Sequence, residues 1–316
     1  MDFIKVPARN ALWRLAPAVY RELQVPLAQE FSIAIVTADS PLALRAAAST
    51  ASAALTWQHV TDVPAAFVAD PFLCRDRGRW YLYFEVMNLL TRRGEIAVAV
   101  SDDDAATWEY QRIILAEPWH LSYPYVFDWE GTHYMIPESG QKRAVCLYRA
   151  APFPDRWQCV ANLLEGDRYA DSSIFRYQDS WWLFTYTGVD PAQPVLRLFC
   201  ADELFGPWRE HPASPIRTCD PRYARPAGRV IDVGGTLIRF AQDSYPVYGR
   251  RVFAHAITTL TRSEYADELV GDGPVLDAGT QPWNQDGMHH IDAHLRADGS
   301  WIACVDGFRR REPGKP

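Results

Sequence analysis

The sequence predicts an all-β protein, a five-bladed β-propeller closed by N-terminal strands joining the last blade, and three observations predict it. Five segments open alike: Ala69-Asp70-Pro71-Phe72, Ser122-Tyr123-Pro124-Tyr125, Ala170-Asp171-Ser172-Ser173, Ala224-Arg225-Pro226-Ala227 and His289-His290-Ile291-Asp292. Each is followed by a second, mostly aromatic-rich strand, such as Trp80-Tyr81-Leu82-Tyr83-Phe84, His133-Tyr134-Met135-Ile136, Trp181-Trp182-Leu183-Phe184 and Trp301-Ile302-Ala303-Cys304. The spacing is regular: positions 70, 123, 171, 225 and 292 lie 53, 48, 54 and 67 apart, and Trp108, Trp157 and Trp208 recur at 49 and 51. A period near fifty with several strands per unit marks a propeller, whereas a two-sheet sandwich leaves the spacing unexplained. The first strand of each blade lines one central funnel, so the five openings converge on one site.

Taken in order, residues 1–28 read as helical or irregular, 31–36 as a strand, and the Ala-rich stretch 42–55 as a short helix or loop. Blades then occupy about 61–116, 117–165, 166–217, 218–280 and 281–316 of a single domain. The last blade has only two good strands before Pro316. Residues 31–36 and Trp57-Gln58-His59-Val60 are expected to supply the missing ones, which removes exposed sheet edges.

With 316 residues, 48% of them hydrophobic, the chain can bury a large core. A formal charge of −7 without a basic run argues against nucleic acid and anionic membrane surfaces as partners. Met1-Asp2-Phe3-Ile4-Lys5 lacks the pattern of a signal peptide, and no apolar run reaches the roughly 18 residues of a transmembrane segment. Cys74, Cys146, Cys159, Cys200, Cys219 and Cys304 show no CxxC spacing and read as reduced core residues of a cytoplasmic protein. No motif calls for a metal or organic cofactor.

Val68-Ala69-Asp70-Pro71-Phe72 sets a carboxylate in an otherwise apolar strand. Burying it unpaired costs several kcal/mol, so it faces a polar funnel or a partner, unless it is a turn Asp before Pro. Asp171, in the equivalent place of blade three, favours the funnel. Glu138 follows Pro137 at the end of an apolar strand, where a low-dielectric surround raises a carboxyl pKa as an acid catalyst needs. Glu85, ending the run 80–84, is the second choice, and either also suits a structural acceptor.

His120, Ser122 and Tyr123 open blade two, but no GxSxG elbow supports serine chemistry. Arg225 and Arg229 suit either an anionic ligand group or neutralisation of an acidic funnel. Gln242 and Asp243, at a strand end of blade four, suit sugar hydroxyls. Trp119, Tyr123 and Tyr125 can stack on a pyranose, although most of the aromatic stripe is core. His289, His290, Asp292 and His294 lie within six residues, with 290, 292 and 294 sharing one strand face. They suit substrate hydrogen bonding, packing or metal binding, although strand neighbours alone cannot close a coordination shell.

The segments Ala69-Asp70-Pro71, Trp80-Tyr81-Leu82-Tyr83-Phe84 and Gly94-Glu95-Ile96-Ala97-Val98-Ala99, with Ser101 and Trp108, resemble blade one of the five-bladed glycosidases, nearest to glycoside hydrolase family 43. That resemblance implies an inverting mechanism with three acids: a base matched by Asp70, a tuning Asp matched by Asp171, and a general acid Glu. The acid is expected at the opening of blade four, where this chain has Arg225, and Glu138 is then the most plausible substitute.

A narrower resemblance covers the chain from about residue 30. Residues 120–127, Tyr134-Met135-Ile136-Pro137-Glu138-Ser139, Ala224-Arg225-Pro226-Ala227-Gly228-Arg229, Ala241-Gln242-Asp243 and Gly287-Met288-His289-His290-Ile291-Asp292 resemble the N-terminal domain of the glucosamine inositolphosphorylceramide transferases and its bacterial relatives. In the plant enzymes this resemblance implies a separate, glycosyltransferase-like C-terminal domain, and none is expected in a chain ending soon after blade five. The expected function is that of a carbohydrate-active enzyme, a glycoside hydrolase or glycosyltransferase working through funnel carboxylates on a carbohydrate, glycolipid or nucleotide-sugar. The alternative is a non-catalytic glycan- or glycolipid-binding propeller.

Overall fold

Short apolar runs punctuated by glycine become hairpins, because two-residue turns with both φ angles positive match the twist of paired strands. Arg77-Gly78, Glu130-Gly131 and Gly234-Gly235 are such turns. The computed structural model describes residues 29–188 and 193–311. Blade one is an antiparallel sheet of β2 (Ala65–Asp76), β3 (Arg79–Asn88), β4 (Arg93–Ser101) and β5 (Glu109–Leu115). Blade two repeats it with β6 (Ser122–Trp129), β7 (Thr132–Glu138), β8 (Ala144–Ala150) and β9 (Trp157–Glu165).

Blade three contains β10 (Tyr169–Tyr177), β11 (Ser180–Thr187), β12 (Val195–Ala201) and the short β13 (Arg209–Glu210) and β14 (Arg217–Thr218), both paired to β12. In blade four the inner strand is broken into β15 (Arg225–Pro226) and β16 (Ile231–Val233), both on β17 (Thr236–Asp243), followed by β18 (Arg251–Leu260) and β19 (Tyr265–Leu269). Blade five has β20 (Gly287–Leu295) and β21 (Trp301–Arg310), and the N-terminal β1 (Gln29–Ala38) completes it by pairing with β21 along its whole length.

The expected closure is thus present, with one correction. Residues 57–59 form a 3-10 turn rather than a strand. Thr56 caps it: its hydroxyl accepts from Gln58 N at 3.3 Å, and its own N–H donates to His59 Nδ1 at 3.1 Å. These local bonds compete with sheet pairing, and only Leu55 bridges to β1, at Ile33. The Ala-rich stretch forms a helix, α1 (Arg45–Thr50), and the expectation for residues 1–28 lies outside the described residues.

Five cores follow, one per seam between neighbouring blades. Tyr83, Val98, Leu121 and Met135 fill the seam of blades one and two, Ile136, Leu147, Ile174 and Leu183 the next, Phe184, Leu198, Ala224 and Ile257 the third, Phe240, Val252, Ile291 and Ala303 the fourth, and Leu73, Leu82, Ile33 and Ile302 the last. The repeating tryptophans serve these seams: Trp108, Trp157 and Trp208 each pack on a different one. Of the six free cysteines, Cys74, Cys146, Cys200 and Cys304 are buried as expected, whereas Cys159 and Cys219 are exposed. No helix among the described residues is long and apolar enough to cross a membrane.

Candidate active site in the central funnel

The openings share a backbone device. Inner-strand pairing skips a step between Ala69 and Phe72, between Ser122 and Tyr125, between Ala170 and Ser173, and between Gly287 and His290. Such bulges bend a strand and re-aim its side chains. Pro71 and Pro124 occupy two of them, where a missing N–H costs no ladder bond. Asp70, Tyr123 and Asp171 take left-handed φ values of 51°, 48° and 45°. Each such residue costs about 1–3 kcal/mol and persists where the surrounding structure fixes it, as at functional sites. In blade four Gly228 takes the special place: a Cβ there would stand 1.6 Å from Ile291 O. The bulge of blade five skips Met288 and His289, so His289, and not Asp292, falls at the counterpart of the other openings, and His290 is the first residue to pair again.

The bulges gather one polar cluster. Glu85 and Glu138 occupy equivalent places, paired across from Ala69 and Ser122, the residues just before Asp70 and Tyr123. Arg225 Nε donates to Asp171 Oδ2, and its Nη2 lies 3.6 Å from Glu138 Oε2. Gln242 Nε2 donates to the same Asp171 oxygen at 2.9 Å and to Pro226 O at 3.1 Å. The Arg225 guanidinium lies 5.2 Å from the ring centroids of both Tyr186 and Tyr248. Asp70 Oδ2 accepts from Tyr123 N at 3.3 Å, and its Oδ1 faces His289 Nε2 at 3.5 Å. Beside Arg225 the cluster adjoins a cavity of about 460 Å³ walled by Tyr186, Pro221, Pro246 and Tyr248. A wider groove of about 780 Å³ runs past Asp76, Arg79, His133 and Phe153 and holds none of these acids.

Protonation divides the cluster into fixed charges and proton carriers. Burial, reinforced by the charges of Asp306 and Asp171, pushes Asp70 up to about 7 against the pull of His289. Burial and the charge of Asp171 push Glu138 up to about 8, with Arg225 opposing. Burial, then Asp70 and Glu138, hold Glu85 well above the carboxylate range. Burial alone would lower His289, but Asp306 and Asp70 bring it up to about 8. At neutral pH the site therefore holds the ion pairs Arg225–Asp171 and His289–Asp306 beside three carboxyls that carry or exchange protons. Glu85 Oε1 and Glu138 Oε2 are buried without a hydrogen-bond partner among the described residues.

His120 closes one side. Its Nδ1 accepts from Gly94 N at 2.9 Å, which places the ring proton on Nε2, 3.4 Å from Glu85 Oε1. Burial lowers its pKa and keeps the ring neutral. Tyr123 serves as a brace: its hydroxyl donates to Gly228 O at 3.0 Å and meets Ser173 Oγ at 2.8 Å, tying three blades. His290 is buried against Phe72 and Tyr123, ring centroids 4.7 and 5.1 Å away, with neither nitrogen hydrogen-bonded among the described residues. Burial lowers it to about 4.

Three of the predicted residues stand apart from this group. Asp292 Oδ1 accepts from Arg229 Nε at 2.7 Å, and its Oδ2 accepts from Leu73 N at 2.7 Å and faces His294 Nε2 at 2.9 Å. Arg229 thus neutralises Asp292 and not Asp70 or Asp171. Asp243 spends Oδ1 on the N–H of Tyr245, at 2.9 Å. Sequence reading missed Asp306 and Tyr248. An acid inside the apolar strand Trp301-Ile302-Ala303-Cys304-Val305-Asp306 was open to the burial argument that singled out Asp70.

Asp70, His289 and Asp306 also have the composition of a metal-ligand set. His289 Nδ1 and Asp306 Oδ1 are 2.6 Å apart, a hydrogen-bond distance, and Asp306 Oδ2 accepts from Asp70 N at 2.9 Å. Asp306 thus hydrogen-bonds both the main chain of Asp70 and the His289 ring.

Comparison with known proteins matches residues 29–308 to the family model described as glucosamine inositolphosphorylceramide transferase 1, N-terminal. A glucosamine inositolphosphorylceramide transferase 1 of Oryza sativa subsp. japonica is 40% identical over 252 residues, covering 78% of this chain and 34% of that protein. One from Arabidopsis thaliana is 34% identical over 254 residues, covering 79% and 33%. The chain spans about a third of the length of these curated relatives. Among solved structures, Zg3597, a family 117 glycoside hydrolase of Zobellia galactanivorans, aligns with a TM-score of 0.52 at 16% identity, covering 76% of this chain and 84% of that one. An exo-beta-1,3-galactanase of Clostridium thermocellum aligns at 0.51 and 14%, covering 64% and 48%. At such identities these two likenesses concern the fold alone.

Proposed function

The chain belongs to the glucosamine inositolphosphorylceramide transferase N-terminal family, and from that premise we propose that its funnel acts on a glycosidic bond of a glycan or glycolipid, with Glu138 as proton donor and Asp70 as base. The observation that carries this reading is the gathering of buried carboxyls from blades one and two beside the Arg225–Asp171 pair, where burial raises Asp70 to about 7 and Glu138 to about 8. Groups poised near the working pH are suited to proton transfer in both directions. Asp171, fixed by Arg225 and Gln242, keeps a negative charge beside Glu138 and so helps it hold its proton.

Glu85 Oε1 and Glu138 Oε2 make no hydrogen bond among the described residues, which leaves both carboxyls open to a ligand's polar groups. A sugar bearing an amino group suits them, and the relatives' names contain glucosamine. The aromatic walls of Tyr186 and Tyr248 offer faces for a pyranose.

The test is turnover of a glycan, glycolipid and nucleotide-sugar panel, followed by product analysis. Activity should need Asp70 deprotonated and Glu138 protonated, so kcat/KM should be bell-shaped, with limbs near 7 and 8. Asp70→Asn and Glu138→Gln should each lower kcat by about 10²–10⁴-fold. Unchanged turnover in either variant would remove that residue's role. The pairing of Arg225 with Asp171 also favours a second reading, a recognition propeller without chemistry. Saturable binding of an intact sugar with no product over long incubation would select it.

A further inference from the structure

Asp306 reaches the site from blade five through two separate contacts. Its Oδ2 accepts from the backbone N–H of Asp70 at 2.9 Å, and its Oδ1 accepts from His289 Nδ1 at 2.6 Å. The other ring nitrogen of His289 faces the Asp70 carboxylate at 3.5 Å. One buried carboxylate therefore grips both the main chain of Asp70 and the ring that addresses its side chain. The ring itself is clamped between Phe31 of the N-terminal strand, at 4.8 Å, and Tyr248, at 5.3 Å. Both residues of the pair are buried, and neither has a role in the acid–base scheme above.

We propose that Asp306 and His289 form a positioning dyad that holds Asp70 in its left-handed bulge and presents a charged N–H to its carboxylate, keeping it the base of the funnel. The inference rests on the reading of Asp70 as base. Asp70 faces charge from His289 on β20, Asp306 on β21, Asp171 on β10, Arg225 on β15, Glu85 on β3 and Glu138 on β7. The two cations favour ionisation and the acids oppose it, and of the charges the His289 imidazolium pulls hardest toward the ionised carboxylate. Asp306 makes that imidazolium possible, because burial alone would neutralise the ring.

The experiment is carboxyl and imidazole NMR titration of the full chain, with pH–rate profiles beside it. In His289→Gln the Asp70 midpoint and the acid limb of kcat/KM should both rise by at least about one pH unit, with KM little changed. In Asp306→Asn the His289 midpoint should fall below 7, as expected of a ring that has lost its anion. Thermal melts identify any variant that has merely unfolded, and the milder Asp306→Asn keeps the test open if His289→Gln does so. An Asp70 midpoint identical in wild type and His289→Gln overturns the dyad, as does loss of turnover on chelation, which would turn the three side chains into cation ligands. If the wild type turns over nothing on the panel, the proposed function fails, while the titration still decides whether the dyad exists.

Discussion

Two buried arginine–aspartate pairs start from the inner segment of blade four, Arg225 to Asp171 of blade three and Arg229 to Asp292 of blade five, and they are built differently. Arg229–Asp292 is closed: Asp292 takes Arg229, His294 and Leu73 N, while Arg229 also donates to Val126 O at 2.8 Å and lies 4.5 Å from the Tyr125 ring centroid. Although burial opposes it, the Arg229 charge drives the Asp292 carboxyl well below its usual range. Arg225–Asp171 is open: the pair itself is made, yet Glu138 Oε2, Glu85 Oε1 and Gln242 Oε1 around it make no hydrogen bond among the described residues. A fully satisfied buried network fixes a structure, whereas a partly satisfied one is costly and leaves polar atoms open to water or a ligand.

The largest effect expected from breaking the comparison is at the closed pair. Arg229→Ala strands Asp292 and should cost about 3–5 kcal/mol in chemical denaturation. Turnover per folded molecule should change little. A loss of stability no greater than that of an exposed arginine would show that the closed network is not structural.

The open pair should behave in the opposite way. The Glu138 pKa is raised on folding from an ordinary 4.5 to about 8. Below 4.5 both states hold the proton. Between 4.5 and 8 the unfolded chain releases it while the folded chain retains it, so stability falls across that window and is not recovered above it. Glu138→Gln should flatten this slope and leave the variant about 1–3 kcal/mol more stable than wild type at pH 9, while removing activity. Denaturation midpoints at pH 4, 7 and 9 measure it, and parallel curves would place the carboxyl in a solvated setting. The smallest effect is at the brace between the two ends: Tyr123→Phe removes one hydroxyl from the Ser173–Gly228 triangle and should cost about 1 kcal/mol.

How far each residue could be read in advance follows from where its signal lies. Asp70, Asp171 and Arg225 stand in openings that repeat, and the structure brings all three together with Glu138 and Glu85. Asp292 shares the local pattern, but the step skipped between Gly287 and His290 moves the blade-five counterpart to Met288 and His289, an irregularity of pairing that the local sequence pattern does not show. Asp306 lies outside every opening, and its bond to Asp70 spans 236 residues. Tyr248 sits in a loop with no periodicity, so nothing local showed that it covers His289.

The sequence by itself determined the five-fold repeat, the all-β class, the closing N-terminal strand and the family, because periodicity and turn chemistry act over a few residues and recur. Only the tertiary structure decided which carboxylates share the funnel, which of them carry protons, and that Arg225 pairs with Asp171 and Arg229 with Asp292. Those outcomes depend on burial and on charges meeting across blades, and both are set only when the ring closes.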